Sequence, residues 1–169
     1  MKKTFKRRRK EEKTDYGKRL KLLKAGAPRL IFRKTNRYII AQYVESKQAQ
    51  DKVVFGLDSR KLLNHGWAEE MSGSLKSITA AYLTGLLAGK TILNDKLKTP
   101  ILDIGMIRST PKSKVYGFLK GVIDAGVKME FNKNKEIFPS EDSIKGKNLK
   151  NKIYGQFDKI KSNIVKGEK

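Results

Sequence analysis

Four groups of residues in this 169-residue chain carry side chains at intervals familiar from reactive or binding sites. Gly85-Leu-Leu-Ala-Gly-Lys-Thr91 approximates a phosphate-binding loop. It places three residues between its glycines where the loop needs four, and Thr84 stands where the first glycine belongs. The segment also falls inside a helical pattern, where backbone N–H groups are already paired and cannot cradle a phosphate. Asp58 and Asp103 each fall at or in an expected strand, and paired carboxylates on a mixed sheet are how metal-dependent nucleases hold two Mg²⁺ ions. Such a site wants more converging acids, yet Asp95 and Asp124 fall on helix ends or faces. The simpler expectation is that Asp103 makes a buried hydrogen bond or pairs with a base such as Arg108. His65 has no second histidine or cysteine and no nucleophile turn beside it, so it reads as a loop residue. Trp67 reads as an anchoring aromatic rather than a base-stacking platform.

The fourth group is Arg108-Ser-Thr-Pro-Lys-Ser-Lys114, which follows a strand and precedes a helix. Basic side chains, small hydroxyls and the free N–H groups at the helix start near Val115 suit a phosphate. A solvated loop would have the same composition.

The charge balance favours a polyanion. The chain carries 39 Lys+Arg against 17 Asp+Glu, a formal net charge of +22. Residues 1–24 hold 12 basic and 3 acidic side chains, residues 25–132 hold 17 and 9, and residues 133–169 hold 10 and 5. The surplus is everywhere and densest at the N-terminus, as in a body contacted by a polyanion on several sides. Nucleic acid is the leading partner and an anionic membrane surface the second. No apolar run approaches the roughly 20 residues of a membrane-spanning helix. The basic N-terminus is followed by charge, so it does not read as a secretory signal, and an intracellular protein is expected. With no cysteine and one histidine, no disulfide scaffold, metal site or cofactor is expected.

These residues need elements to position them. Residues 1–13 hold one large apolar side chain, Phe5, and are expected to stay disordered until bound. Thr14 to Ala25 reads as a helix, capped by Thr14 or Asp15 and ended at Gly26, with Tyr16, Leu20 and Leu23 on its packing face. Leu30–Phe32 and Tyr38–Val44 form a hairpin around Thr35-Asn36-Arg37, and Val53–Leu57 follows a polar turn at Ser46–Asp51. Three sequential strands suggest an antiparallel meander. A short helix at Ser59–Leu63 and a long one from about Leu75 to Leu93 follow, the small residues 81, 85 and 89 letting the latter lie close on a sheet. Ile101–Ile104 is apolar on both faces, which favours a central strand. Val115 to Ala125 is helical, and Val127, Met129 and Phe131 alternate like an edge strand. Beyond the linker 132–138, Ser140 opens a C-terminal helix with Leu149, Ile153, Phe157, Ile160 and Ile164 as its stripe. That stripe would dock on the body or on a neighbouring protein. The division is a basic arm (1–13), an α/β core (14–131) and a linker with a C-terminal helical extension (132–169).

Basic groups recur beside aromatics at Tyr16/Arg19, Arg37/Tyr38 and Lys114/Tyr116. RNA uses this mixture more than duplex DNA does, and no DNA-reading helix-turn-helix, zinc finger or heptad zipper is present. A metal-dependent nuclease and a general DNA-coating protein are the competing classes.

Several stretches carry a resemblance. They are Lys13-Thr-Asp-Tyr-Gly-Lys-Arg-Leu-Lys-Leu-Leu-Lys24, Pro28-Arg-Leu-Ile-Phe-Arg-Lys-Thr-Asn36, Tyr38-Ile-Ile-Ala-Gln42, Ala80-Ala-Tyr-Leu-Thr-Gly-Leu-Leu-Ala-Gly-Lys90, Ile101-Leu-Asp-Ile-Gly105 and Leu119-Lys-Gly-Val-Ile-Asp-Ala-Gly126. Over residues 5–148 the chain resembles the universal large-subunit ribosomal protein eighteen family in its archaeal form, whose eukaryotic counterpart is large-subunit protein five. The resemblance implies an α/β fold, a mixed-sheet sandwich of ribonuclease H-like, translational-machinery-component topology without catalysis. It implies a place in the large subunit of the cytoplasmic ribosome. The implied partners are 5S rRNA, the large rRNA and neighbouring large-subunit proteins, with no membrane and no small-molecule substrate. By matched position, Arg7, Arg8, Arg9, Lys10 and Lys13 would thread into RNA, with Tyr16 and Arg19 at the same surface. Arg33, Lys34, Asn36, Arg37 and Tyr38 on the hairpin, and Arg108, Lys112, Ser113, Lys114 and Tyr116 around the last core helix, would complete the rRNA contacts.

Overall fold

The computed structural model describes residues 4–131, 136–147 and 155–167. Helix α1 (Arg7–Lys10) is a single turn with no buried residue. The expectation of an arm without structure is therefore corrected. Arg8 Nε donates to Thr14 Oγ1 at 3.0 Å, and Arg9 reaches Met106 Sδ at 3.8 Å, so the arm lies back on the body. Helix α2 (Tyr16–Lys24) starts where Asp15 accepts from the N–H groups of Gly17 and Lys18, and ends before Gly26 at φ +64°.

Strands β1 (Arg29–Lys34), β2 (Ile39–Lys47) and β3 (Gln50–Asp58) form the expected antiparallel meander. The second turn is tighter than the composition suggested. Gln48 and Ala49 both take positive φ, as a two-residue hairpin turn requires, so the ladder extends to Lys47 and Gln50. A 3-10 helix (Ser59–His65) and a shorter one (Glu69–Ser74) lead to α3 (Ile78–Asn94), which Ser77 caps through Ala80 N–H. Strand β4 (Ile101–Asp103) pairs parallel with β1, giving the order β3-β2-β1-β4. The central placement expected for β4 is corrected: it is an edge, and Ile101 is 36% exposed. Helix α4 is Lys114–Asp124. Val127, Met129 and Phe131 alternate in burial with Lys128 and Glu130, yet no ladder forms there among the described residues.

The C-terminal segment was expected to be one helix. The described residues form two, α5 (Glu141–Lys145) and α6 (Phe157–Lys166), and α5 stops at Gly146 with φ +80°. Phe157, Ile160 and Ile164 are buried against the body, while Leu149 and Ile153 lie outside the described residues.

Period-two burial gives the sheet two unlike faces. Leu30, Phe32, Ile39, Ala41 and Tyr43 pack on Ala81, Ala88, Ile92, Phe118 and Val122 of α3 and α4. A second cluster joins the far side of α3 to Leu62, Trp67, Ile144, Phe157, Ile160 and Ile164. Trp67 is 3% exposed and donates from Nε1 to Met71 O, so it anchors as expected. Apolar surroundings on both sides explain why α3 has buried residues all round. Of the small residues of α3, Ala81 faces the sheet as expected, but Gly85 and Gly89 do a different job. A Cβ at Gly85 would stand 2.2 Å from Phe118 O, and one at Gly121 would stand 2.0 Å from Tyr82 O. The glycines let two helices touch backbone to backbone, not helix and sheet. The other face carries the charged Arg29, Arg33 and Asp103, and the arm and α2 lie against that part of it.

Candidate nucleic-acid interface

The charged face is organised by a residue the sequence reading passed over. Arg29, at the start of β1, is 2% exposed. Its Nη1 donates to Asp103 Oδ2 at 3.0 Å, and its Nη2 donates to Asp51 Oδ1 at 2.7 Å and Ser46 Oγ at 3.1 Å. Asp103 Oδ1 accepts from Gly105 N–H at 2.8 Å. Asp103 is thus a buried structural carboxylate, and its partner is Arg29 rather than Arg108. The available signal was a base and an acid, each at the boundary of an otherwise apolar strand. Asp51 also accepts from Arg19 at 2.9 Å. Burial pushes its carboxyl up, but the hydrogen bonds from Ser46, Arg19 and Arg29 outweigh that and hold it below the ordinary aspartate value.

This network fixes α2, and with it the arm. Arg19 holds Asp51, and Lys18 Nζ donates to Gly105 O at 3.2 Å. The helix therefore turns its polar side inward. The stripe expected to pack does so only in part: Tyr16 is 37% and Leu20 55% exposed, Leu23 is half-buried, and Leu22 lines the cavity beside the sheet. Lys6 lies 4.8 Å over the Tyr16 ring. Within the arm, Arg7 and Lys13 pair with Glu11, Arg9 approaches Asp15 at 3.8 Å, and Lys10 is exposed.

At the C-terminal ends of β1 and β4 the cations converge. Arg33 is half-buried above Gly105, where a Cβ would lie 2.8 Å from Nη1. Its Nη1 donates to the carbonyls of Phe32 at 3.0 Å and Asp103 at 3.4 Å. Burial lowers its affinity for its proton. Asp103 opposes that, and the like charges of Arg29 and Arg8 add to it. A groove of about 440 Å³ runs past Arg8, Lys13, Arg33 and Lys34. Lys114, the first residue of α4, is half-buried within charge range of Lys34, and its ammonium is held below the usual lysine range by burial, then by Lys34 and Lys76. Lys76 was missed; its signal was a base directly before the Ser77 cap.

The remaining candidates border this band. Thr35 Oγ1 accepts from the N–H groups of Arg37 and Tyr38, which fixes the hairpin tip with Asn36 and Arg37 exposed. Arg60 lies 4.6 Å over the Tyr38 ring, so that ring is not a free stacking surface on both sides. Arg108 is exposed. Lys112 takes φ +58° and pairs with Glu136 at 3.2 Å. Tyr116 shares a 2.7 Å hydrogen bond with Ser109. Ser113 stands at the cap position of α4, but its buried Oγ has no hydrogen-bond partner among the described residues.

The alternative chemistries lose their geometry here. Gly85 to Thr91 lies within α3. Asp58 and Asp103 end strands at opposite edges of a four-stranded sheet. Three strand spacings separate them, about 14 Å, whereas the ions that paired carboxylates would share lie only about 4 Å apart. Asp58 is occupied by Arg60. No group of three metal-ligating side chains is assembled among the described residues. His65 closes the first 3-10 helix, and its carbonyl accepts from Asn163 of α6 at 3.1 Å. No helix among the described residues is long and apolar enough to cross a membrane.

Residues 2–100 match the family model described as ribosomal large subunit proteins 60S L5 and 50S L18. The chain belongs to this family. It is 45% identical over 143 residues to the large ribosomal subunit protein uL18 of Korarchaeum cryptofilum, covering 85% of this chain and 70% of that one. It is 40% identical over 143 residues to the uL18 of Methanoregula boonei, covering 85% and 79%. It is 43% identical over 126 residues to the uL18 of Halobacterium salinarum, covering 75% and 67%. The matches bear out the archaeal character of the resemblance. Ribosomal large-subunit proteins of this family form a structural, non-enzymatic family.

Proposed function

We propose that this protein is a non-catalytic structural constituent of the large subunit of the cytoplasmic ribosome. It binds 5S rRNA and anchors it to the large rRNA in the central protuberance. One observation supports this most: Arg8 of the arm, Arg33 and Lys34 of β1, Lys76 before α3 and Lys114 of α4 come from four separate segments yet share one end of the sheet. Cations gathered from such distant sequence positions cost stability in the free protein and are repaid when phosphates arrive. The exposed Asn36, Arg37 and Arg108 extend the same band toward unpaired bases. Family membership selects ribosomal RNA among the polyanions.

In this reading residues 1–13 are an RNA-binding arm, residues 14–131 the binding core, and residues 132–169 an extension whose α6 braces the core. Arg19 acts by positioning α2 through Asp51, whereas Lys34, Arg37, Arg108 and Lys114 touch RNA. Fluorescence anisotropy with labelled 5S rRNA in Mg²⁺ and about 0.15 M salt tests the proposal, with excess tRNA and duplex DNA as competitors. Binding that survives both competitors is expected. Equal displacement by either one would reduce the protein to a general polyanion binder.

A further inference from the structure

The arm and α2 do not seal against the charged face of the sheet. Between them lies a cavity of about 100 Å³, room for about three waters or one tetrahedral oxyanion. Its wall includes Arg8 from the arm, Lys18 from α2, Arg29 and Arg33 from β1, and two carboxylates, Asp15 and Asp103; Asp15 is taken up by the N–H groups of Gly17 and Lys18. The charges there are unevenly matched. Asp103 is fully engaged by Arg29 and the Gly105 N–H. Arg8 bonds a hydroxyl, and Lys18 and Arg33 bond main-chain carbonyls. None of these three has a carboxylate partner among the described residues. Three cations that give their hydrogen bonds to a hydroxyl and to main-chain carbonyls, gathered around one cavity, are an arrangement that one oxyanion would complete.

We propose that this cavity is a phosphate site, filled in the assembled particle by one backbone phosphate of ribosomal RNA. That phosphate would be gripped by Arg8, Lys18 and Arg33, fastening the arm to the sheet. The inference rests on the rRNA reading above and adds to it a single, partly open anchor point. Arg33 and Arg8 repel while the cavity holds no anion, so the arm is held weakly before RNA arrives and firmly afterwards. Gly105 is needed beneath because Arg33 crosses where a Cβ would stand.

Inorganic phosphate probes the site on the full chain. At fixed ionic strength, replacing chloride with saturating phosphate is expected to raise Tm by about 2–4 °C. Arg8→Gln and Lys18→Gln, both at exposed positions, are expected to abolish the rise, and Lys166→Gln on α6 to keep it. A wild-type shift that persists in Arg8→Gln and Lys18→Gln, or no wild-type shift at all, overturns the site. The second arm of the test identifies the source of the phosphate. Arg8→Gln is expected to lower the slope of log K against log salt for 5S or large rRNA by about 0.7–0.9. A lost Tm response with unchanged slopes for both RNAs would make the ligand free phosphate and overturn the backbone assignment. If wild-type protein shows the phosphate shift but no selective rRNA binding, the rRNA reading fails rather than the cavity. Selective rRNA binding without a phosphate shift fails the cavity alone.

Discussion

Replacing Asp103 with Asn distinguishes a structural carboxylate from a catalytic one. Arg29 and Asp103 are 2% and 8% exposed at the side chain and lie 3.0 Å apart. Removing one charge of a buried pair strands the other, which costs about 3–5 kcal/mol. Two features place this case at the lower end. Asp51 still holds Arg29 from the other side at 2.7 Å. Asparagine also keeps one acceptor oxygen, for Arg29 or for the Gly105 N–H. The expected loss is therefore about 3 kcal/mol, or about 6–12 °C in Tm for a chain of this size. Urea unfolding followed by far-UV circular dichroism reads it as a lower midpoint at unchanged m. Arg108→Ala, at an exposed position, is the control and should stay within about 0.5 kcal/mol. Below the melting range, the folded Asp103→Asn protein should bind 5S rRNA nearly as well as the wild type. A loss under about 1 kcal/mol, well below the range for a broken buried pair, would refute the claim that Arg29 and Asp103 hold the charged face together.

Gly121→Ala should cost at least about 1–3 kcal/mol, because its Cβ would meet the Tyr82 carbonyl at 2.0 Å, whereas Gly73→Ala, with nothing within 4 Å, should be close to neutral; equal melting temperatures would contradict the backbone contact of α3 and α4. Lys114→Gln should leave the free protein as stable or more so, since burial and two neighbouring lysines oppose its charge, while lowering the rRNA salt slope by about 0.7–0.9. A drop in Tm with no change in slope would reverse both assignments. The Asp51 carboxyl titrates below its ordinary value of 3.8 in the folded state. Its contribution is thus complete above that value and is lost as pH falls through the lower, folded value. Wild-type protein should lose more stability than Asp51→Asn does across that acidic window; parallel curves would show that Asp51 is not held by Arg19 and Arg29.

Much of this protein was legible in its residues because the signals are local. The helix start at Asp15 and the stops at Gly26 and Gly126 follow from side-chain capping and left-handed backbone. The meander follows from apolar strands punctuated by turn residues, and the polyanion-binding class from a charge of +22. The family resemblance rests on long collinear motifs, and these too are properties of the chain alone.

What depends on distant partners was decided only by the tertiary structure. Strand β4 reads as central because it is apolar on both sides, but its position was settled by what β1 had left to pair with. The Tyr16-Leu20-Leu23 stripe has the right period for packing, yet Arg19 and Lys18 found partners on the sheet and turned part of it outward. The small residues of α3 announce a close approach without saying to what, and Gly121 on α4 supplies the answer. Arg29 and Asp103 stand 74 positions apart and meet because parallel pairing sets Arg29 opposite Ile101, two residues before the aspartate. The order of residues sets how much positive charge there is and which elements carry most of it. The fold decided which cations are spent inside on carboxylates and which remain for phosphate, because that depends on burial and on neighbours that no local pattern encodes.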